Sequence, residues 1–222
     1  MLVIFDCDGV LIDSEIIYSE VDAAMLTRLG HPTRPEEISR RFTGVPHRDL
    51  WRILADELGL VTSDALFAAI GDECRRRFAE ELAAIPGAAE AVRVAGALGH
   101  ETCVASSTAL PSLRANLATA GLIDLFGDNV FSASQVRRGK PAPDVFLFAA
   151  SQMGADPADC LVVEDSVAGA TAARRAGMAV VGFTGGSHAD PELAGRLRDA
   201  GAGHIQPTMA GFAAWLAAAG NA

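Results

Sequence analysis

Short runs dense in aliphatic and β-branched residues recur along the chain, separated by longer segments of helical periodicity. "LVIF" (2–5), "TCVA" (102–105), "CLVV" (160–163) and "MAVVGF" (178–183) have the length and composition of buried strands. "NVFSA" (129–133) is a weaker strand, and "GHIQ" (203–206) a last strand at a sheet edge. Helical patterns occupy roughly 88–98, 110–120, 143–153, 167–177, 190–200 and 208–219. Strand and helix alternate in this order. That predicts an α/β fold, a Rossmann-like, mostly parallel sheet with helices on both faces.

The alternation is interrupted once. Residues 15–84 hold no convincing strand but several helical stripes. Ile17, Val21, Ala24 and Met25 share one face. Leu50, Leu54 and Leu58 share another, flanked by Trp51. Phe67, Ile70, Cys74, Phe78 and Leu82 form a third. A helical insert of this size can bury a small core of its own. Pro86 and Gly87 punctuate its exit. The expected organisation is therefore a core domain, 1–14 with 85–222, carrying an inserted all-helical cap domain, 15–84. Two chain crossings, near Ser14 and near Ala84, would act as a hinge.

Composition narrows the class. With 222 residues, 50% of them hydrophobic, the chain can build a sizeable core. Eighteen basic against 28 acidic residues leave a formal net charge of −10, so no global field draws it to nucleic acid or anionic membranes. An anionic substrate would need a local positive site or a metal. No apolar run reaches membrane-spanning length, and the start has no basic signal-peptide region. Cys7, Cys74, Cys103 and Cys160 lack metal-site spacing and read as buried free thiols in a reducing cytoplasm.

Polar residues stand where the predicted strands end. Asp6 follows "LVIF", with Asp8 and Gly9 next. Ser106 follows "TCVA", and Glu164 and Asp165 follow "CLVV". In a parallel sheet these ends share one edge, outside which ligands bind. Lys140, in "RRGKPAPD" after the weak strand, can reach the same place. Each stretch also suits an ordinary local role. Asp8-Gly9 fits a turn, Ser106 to Thr108 fit helix N-caps, Glu164 to Ser166 fit a cap on the next helix, and Lys140 fits a solvated loop. Jointly, three acids, a hydroxyl and a lysine make a metal-and-anion site. Clustered carboxylates raise one another's pKa unless a hard dication relieves them, and all-oxygen ligation suits Mg²⁺, which works on phosphates. Starting at Asp6, the run fails as an EF-hand loop, with Val10 at position five and Leu11 at six; "RRGKPAP" lacks the flanks of a P-loop.

"FDCDGVLIDSE", "ASS" (105–107), "GKPAPD" and "VVEDSVAGATAARRAGM", in this order, resemble the four motifs of the haloacid dehalogenase-like hydrolase superfamily. The helical insert resembles the small cap of the branch that holds β-phosphoglucomutase and many sugar-phosphate phosphatases. The resemblance implies that Asp6 is the nucleophile and Asp8 the general acid/base. It implies that Asp6, the Asp8 carbonyl and Asp165 hold Mg²⁺, with Glu164 beside the metal. Ser106 and Lys140 would hold the phosphoryl group, and Ser107 would add hydrogen bonds. The cap would choose the substrate through "RFTGVPHR" (41–48), with Gly44 and Arg48 as candidates; Arg41 and Arg48 also fit solvated helix ends, as do Arg75, Arg76 and Arg77.

The implied activity is hydrolysis of a small phosphorylated metabolite, a sugar or sugar-acid phosphate such as 6-phosphogluconate, through an aspartyl-phosphate. The expected setting is a cytoplasmic monomer or small homo-oligomer without nucleic-acid or membrane partners. The alternative is a β-phosphoglucomutase-like hexose phosphomutase. Against it, Tyr18 stands near where the mutase pattern has a histidine that restrains the acid/base group.

Overall fold

The computed structural model describes residues 1–42, 45 and 47–219. The chain runs β1 (Leu2–Phe5), α1 (Glu15–Arg28), α2 (Pro35–Phe42), α3 (His47–Leu58), α4 (Asp64–Glu81), α5 (Ala88–Ala97), β2 (Glu101–Ser106), α6 (Leu110–Thr119), α7 (Ile123–Phe126) and β3 (Val130–Ser132). It continues with α8 (Asp144–Gln152), β4 (Cys160–Glu164), α9 (Val167–Arg175), β5 (Ala179–Phe183), α10 (Leu193–Asp199), β6 (His204–Gln206) and α11 (Met209–Ala219). The six strands are parallel, in the order β3-β2-β1-β4-β5-β6. The expected α/β fold with a mostly parallel sheet is what forms, and the "GHIQ" segment is one of its two edge strands.

Side chains alternate across the sheet, so each central strand feeds two cores. Val3 and Phe5 of β1, with Leu161 and Val163 of β4, join one apolar cluster; Leu2, Ile4, Cys160 and Val162 join the other. Phe5 packs edge-on against Phe126 and Phe212, at ring distances of 6.3 and 5.8 Å. Near-complete burial on both faces explains why these strands are apolar runs rather than alternating ones. All four cysteines are free and buried. Among the described residues no helix is long and apolar enough to cross a membrane.

Residues 15–84 contribute α1 to α4, and α1 packs against both α2 and α4. Their buried residues, including Ile17, Leu26, Trp51 and Ile70, are continuous with the first core cluster. The α1 stripe is wider than periodicity suggests. Ala24 is exposed, whereas Ser19, Asp22 and Leu26 are buried. Trp51 is fully buried instead of flanking its stripe. The two chain crossings are tied to each other: Asp13 N–H donates to Ala83 O at 3.0 Å and Ile85 N–H to Leu11 O at 2.9 Å.

Strand register positions the polar residues. Phe5 lies opposite Val104 on one side and Val163 on the other. The next residues in line are therefore Asp6, Ala105 and Glu164. Side by side at the same edge, they form the floor of the site.

Candidate active site

Lys140 binds this floor at all three strands. Its Nζ donates to Asp6 Oδ1 at 2.8 Å, Glu164 Oε1 at 2.6 Å and the Ala105 carbonyl at 3.1 Å. Its side chain is only 3% exposed, and its charge lies 4.9 Å from the centre of the Phe146 ring. Burial alone would neutralise a lysine; here the Asp6 and Glu164 carboxylates outweigh burial and hold its pKa above the ordinary value. Asp6 is shifted well upward by burial, opposed by Lys140 and reinforced by Glu164, Asp165 and Asp8.

Glu164 is fully buried, and both its oxygens accept hydrogen bonds. Its Oε2 accepts from Ser166 N–H and Oγ–H, both at 2.9 Å, while Ser166 Oγ accepts from Gly169 N–H at 3.0 Å and so caps α9. Gly169 is required by this packing, since a Cβ there would run into the Glu164 carboxylate. The N-cap role open for "EDS" and the site role thus coexist: Ser166 caps the helix and positions Glu164 at once.

Asp8 sits in a cradle of hydroxyls. Ser14 donates to Oδ1 at 2.7 Å; Thr108 and Ser106 donate to Oδ2 at 2.7 and 3.2 Å. Gly9 follows with φ +75°, turning the chain where a side chain would collide with Asp165 Oδ2. Carboxylate oxygens of Asp6, Glu164 and Asp165 lie within 4.8 Å of one another. Asp165 is buried, and its Oδ2 has no hydrogen-bond partner. Three carboxylates face the Lys140 ammonium, with the His188 ring beside Asp165, so acids outnumber the bases set against them in this buried cluster. That donor set, with its orphaned oxygen, fits a hard divalent cation.

Two groups at this site have no role assigned from the sequence, although one of them, Glu15, closes the first motif. His188, in the loop after β5, is buried with Nε2 3.1 Å from Asp165 Oδ2, off the hydrogen-bond line. Burial lowers its pKa, but the Asp165 carboxylate outweighs this and raises it to about 9. Glu15, at the start of α1, is pushed up to about 8 by burial and by repulsion from Asp165. Thr108 stood in the sequence only as a possible cap; its hydroxyl serves Asp8 instead.

A cavity of about 980 Å³ opens above Asp6, Asp8 and Asp165 and extends to α1, α3 and α4. Ser107 is exposed and lines it. Arg75 lines it as well and pairs with Asp72. Arg48 is exposed, its guanidinium 5.4 Å from the centre of the Phe67 ring, and does not line the cavity. Arg41 pairs with Glu57 at 2.6 Å, and Arg76 and Arg77 pair with neighbouring glutamates. Gly44 lies outside the described residues. Deeper in the helical wall, Asp22 accepts from His47 Nε2 at 2.8 Å and Trp51 Nε1 at 2.8 Å. The one available signal for that network was an acid inside the apolar stripe of α1.

The model of the haloacid dehalogenase-like hydrolase family matches residues 1–177. The 6-phosphogluconate phosphatase of Escherichia coli K12 is 33% identical over 193 residues, covering 85% of each chain. Among solved structures, a conserved haloacid dehalogenase-like protein of Agrobacterium tumefaciens C58 superposes with TM-score 0.88 at 38% identity, covering 98% of both chains. A hydrolase of the same family from Deinococcus radiodurans R1, solved with bound phosphate and sodium, reaches TM-score 0.84 at 34% identity over 99% of this chain and 96% of that one.

Proposed function

Since the chain belongs to the haloacid dehalogenase-like hydrolases, as a phosphatase, we propose that it is a Mg²⁺-dependent phosphomonoesterase of a small phosphorylated metabolite, a sugar or sugar-acid phosphate such as 6-phosphogluconate. The observation that carries the reading is the contrast between the surroundings of Asp6 and Asp8. Two residues apart, they have opposite surroundings. Asp6 is held by an ammonium at the strand edge; Asp8 is held by three hydroxyls. The first arrangement suits a carboxylate nucleophile beside an anion-binding lysine, the second a group that exchanges protons.

In this mechanism an Asp6 oxygen attacks phosphorus and the ester P–O bond breaks. Asp8 gives its proton to the leaving alcohol oxygen. Water then attacks the aspartyl-phosphate, Asp8 takes its proton, and the bond to Asp6 breaks to release phosphate. Lys140, Ser106 and Ser107 hold the phosphoryl oxygens. Asp6, the Asp8 carbonyl, Asp165 and Glu164 would hold Mg²⁺, which supplies positive charge to the phosphoryl group when bound. Residues 15–84 act as a cap over 1–14 and 85–222, closing on the hydrogen-bonded crossing at Leu11 to Asp13 and Ala83 to Ile85, with Gly44 and, in the first turn of α3, Arg48 meeting substrate on closure.

Phosphate release from a panel of metabolite phosphate esters, with Mg²⁺ and with chelator, tests this reading. Activity should require the cation, and Asp6→Asn should abolish turnover without loss of fold. Wild-type phosphate release by that variant would sink it. Stoichiometric phosphate without isomer formation distinguishes hydrolysis from the phosphomutase alternative.

A further inference from the structure

The far half of the cavity is built unlike the reacting end. Tyr18, Ile38, Phe42, Leu50, Phe67 and Phe78, all from residues 15–84, give it an apolar and aromatic wall. Set into it is an ionisable pair, Asp22 and His47. Asp22 is 1% exposed, and both its accepted hydrogen bonds, from His47 and from Trp51, come from groups of the wall itself. With Nε2 turned to Asp22, His47 keeps Nδ1 as the nitrogen left for a ligand hydroxyl.

Charge in the cavity is one-sided. Asp6, Asp8, Glu15, Asp22 and Asp165 line it. Among the described residues, the basic groups lining it are Lys140, His47 and Arg75, and each already faces a carboxylate: Asp6 with Glu164, Asp22, and Asp72. Thr43, Gly44 and Pro46, outside the described residues, add no charge. A divalent cation at the strand edge would balance only the cluster there. A second anion carried at the far end of a substrate would therefore be desolvated against apolar walls, near the buried Asp22 carboxylate, where every described cation that lines the cavity already faces a carboxylate.

We infer that the phosphate ester hydrolysed here carries an uncharged far end, a polyol or similar neutral alcohol, and that Asp22 and His47 set this choice: His47 by bonding a hydroxyl, Asp22 by repelling a second negative charge. The inference rests on the phosphatase reading and selects, within it, neutral sugar phosphates over sugar-acid phosphates.

D-glucitol 6-phosphate and 6-phosphogluconate test it. They share a six-carbon chain and a terminal phosphate and differ only in a CH₂OH or a carboxylate at the other end. Each is measured as a substrate and as a competitor of an activated aryl phosphate. The polyol ester should be favoured on the order of tenfold or more in kcat/KM or in inhibition constant, as one unscreened charge interaction would give. Asp22→Asn should narrow that ratio several-fold, aryl phosphate hydrolysis reporting that the variant is folded. Equal treatment of the two esters by the wild-type protein, or preference for the acid, overturns the inference even if Asp22→Asn fails to fold. Failure to hydrolyse the aryl phosphate at all defeats the phosphatase reading instead, and this inference with it.

Discussion

His188 Nε2 and Asp165 Oδ2 stand 3.1 Å apart, joined across a loop and a strand end that no local pattern connects. The loop is pinned from beyond the first aspartates. Asp13 accepts from Ser187 N–H at 3.1 Å and from the Ser187 hydroxyl. Two glycines leave room for the ring: a Cβ on Gly9 would lie 2.8 Å from His188 Cε1, and one on Gly186 would lie 2.6 Å from the same atom. A ring packed this closely beside a carboxylate limits where that carboxylate can lie. His188→Ala should weaken divalent-cation affinity by roughly 10- to 100-fold, the usual effect of losing such a partner. Calorimetric titration of the purified protein with Mg²⁺ or Mn²⁺ reads this without any substrate; unchanged affinity would refute it.

Gly169 offers a test of the Glu164 cradle. On an exposed helix, glycine to alanine gains about 1 kcal/mol from helix propensity. In α9 the added methyl meets a carboxylate that Lys140 and Ser166 hold in place. Gly169→Ala should therefore destabilise the protein, against propensity. A denaturant midpoint at or above wild type would show that Glu164 yields freely.

Thr108→Val keeps the shape of the side chain and removes the hydroxyl that donates to Asp8 at 2.7 Å. Asp8 then keeps two of its three hydroxyl partners. The expected result is a fall in kcat of about tenfold, with KM little changed, because the loss falls on proton transfer rather than on phosphate binding.

Glu15 ties stability to pH in the cation-free protein. Its pKa in the fold is raised to about 8 by burial first, then by Asp165, Asp8 and Asp22, with His188 opposing. Against an unfolded value near 4.3 the native state binds the proton more tightly, so this contribution is full at low pH and is lost as pH rises through about 8. With chelator present, Glu15→Gln should raise the Tm relative to wild type more at pH 9 than at pH 5. Parallel pH profiles for the two proteins would contradict the shift.

Local pattern along the chain was enough to place the elements and the polar residues at their ends. Apolar runs marked strands covered on both faces. Acids, a serine and a lysine followed them at places where strands terminate, and the interrupted alternation marked residues 15–84 as helical. These are local properties, carried by burial period and residue type, and Asp6, Asp8, Ser106, Lys140, Glu164 and Asp165 were all legible on that basis. Which of those ends become neighbours was decided only when β1 paired with β2 on one side and β4 on the other, setting Asp6, Ala105 and Glu164 under one lysine. The Thr108 hydroxyl on Asp8, the Asp13–Ser187 tie that brings His188 to Asp165, and the Asp22–His47–Trp51 network belong to the tertiary structure alone. Each joins residues whose local sequence suits an ordinary cap, loop or helix, and partnership across such separations follows from packing rather than from period.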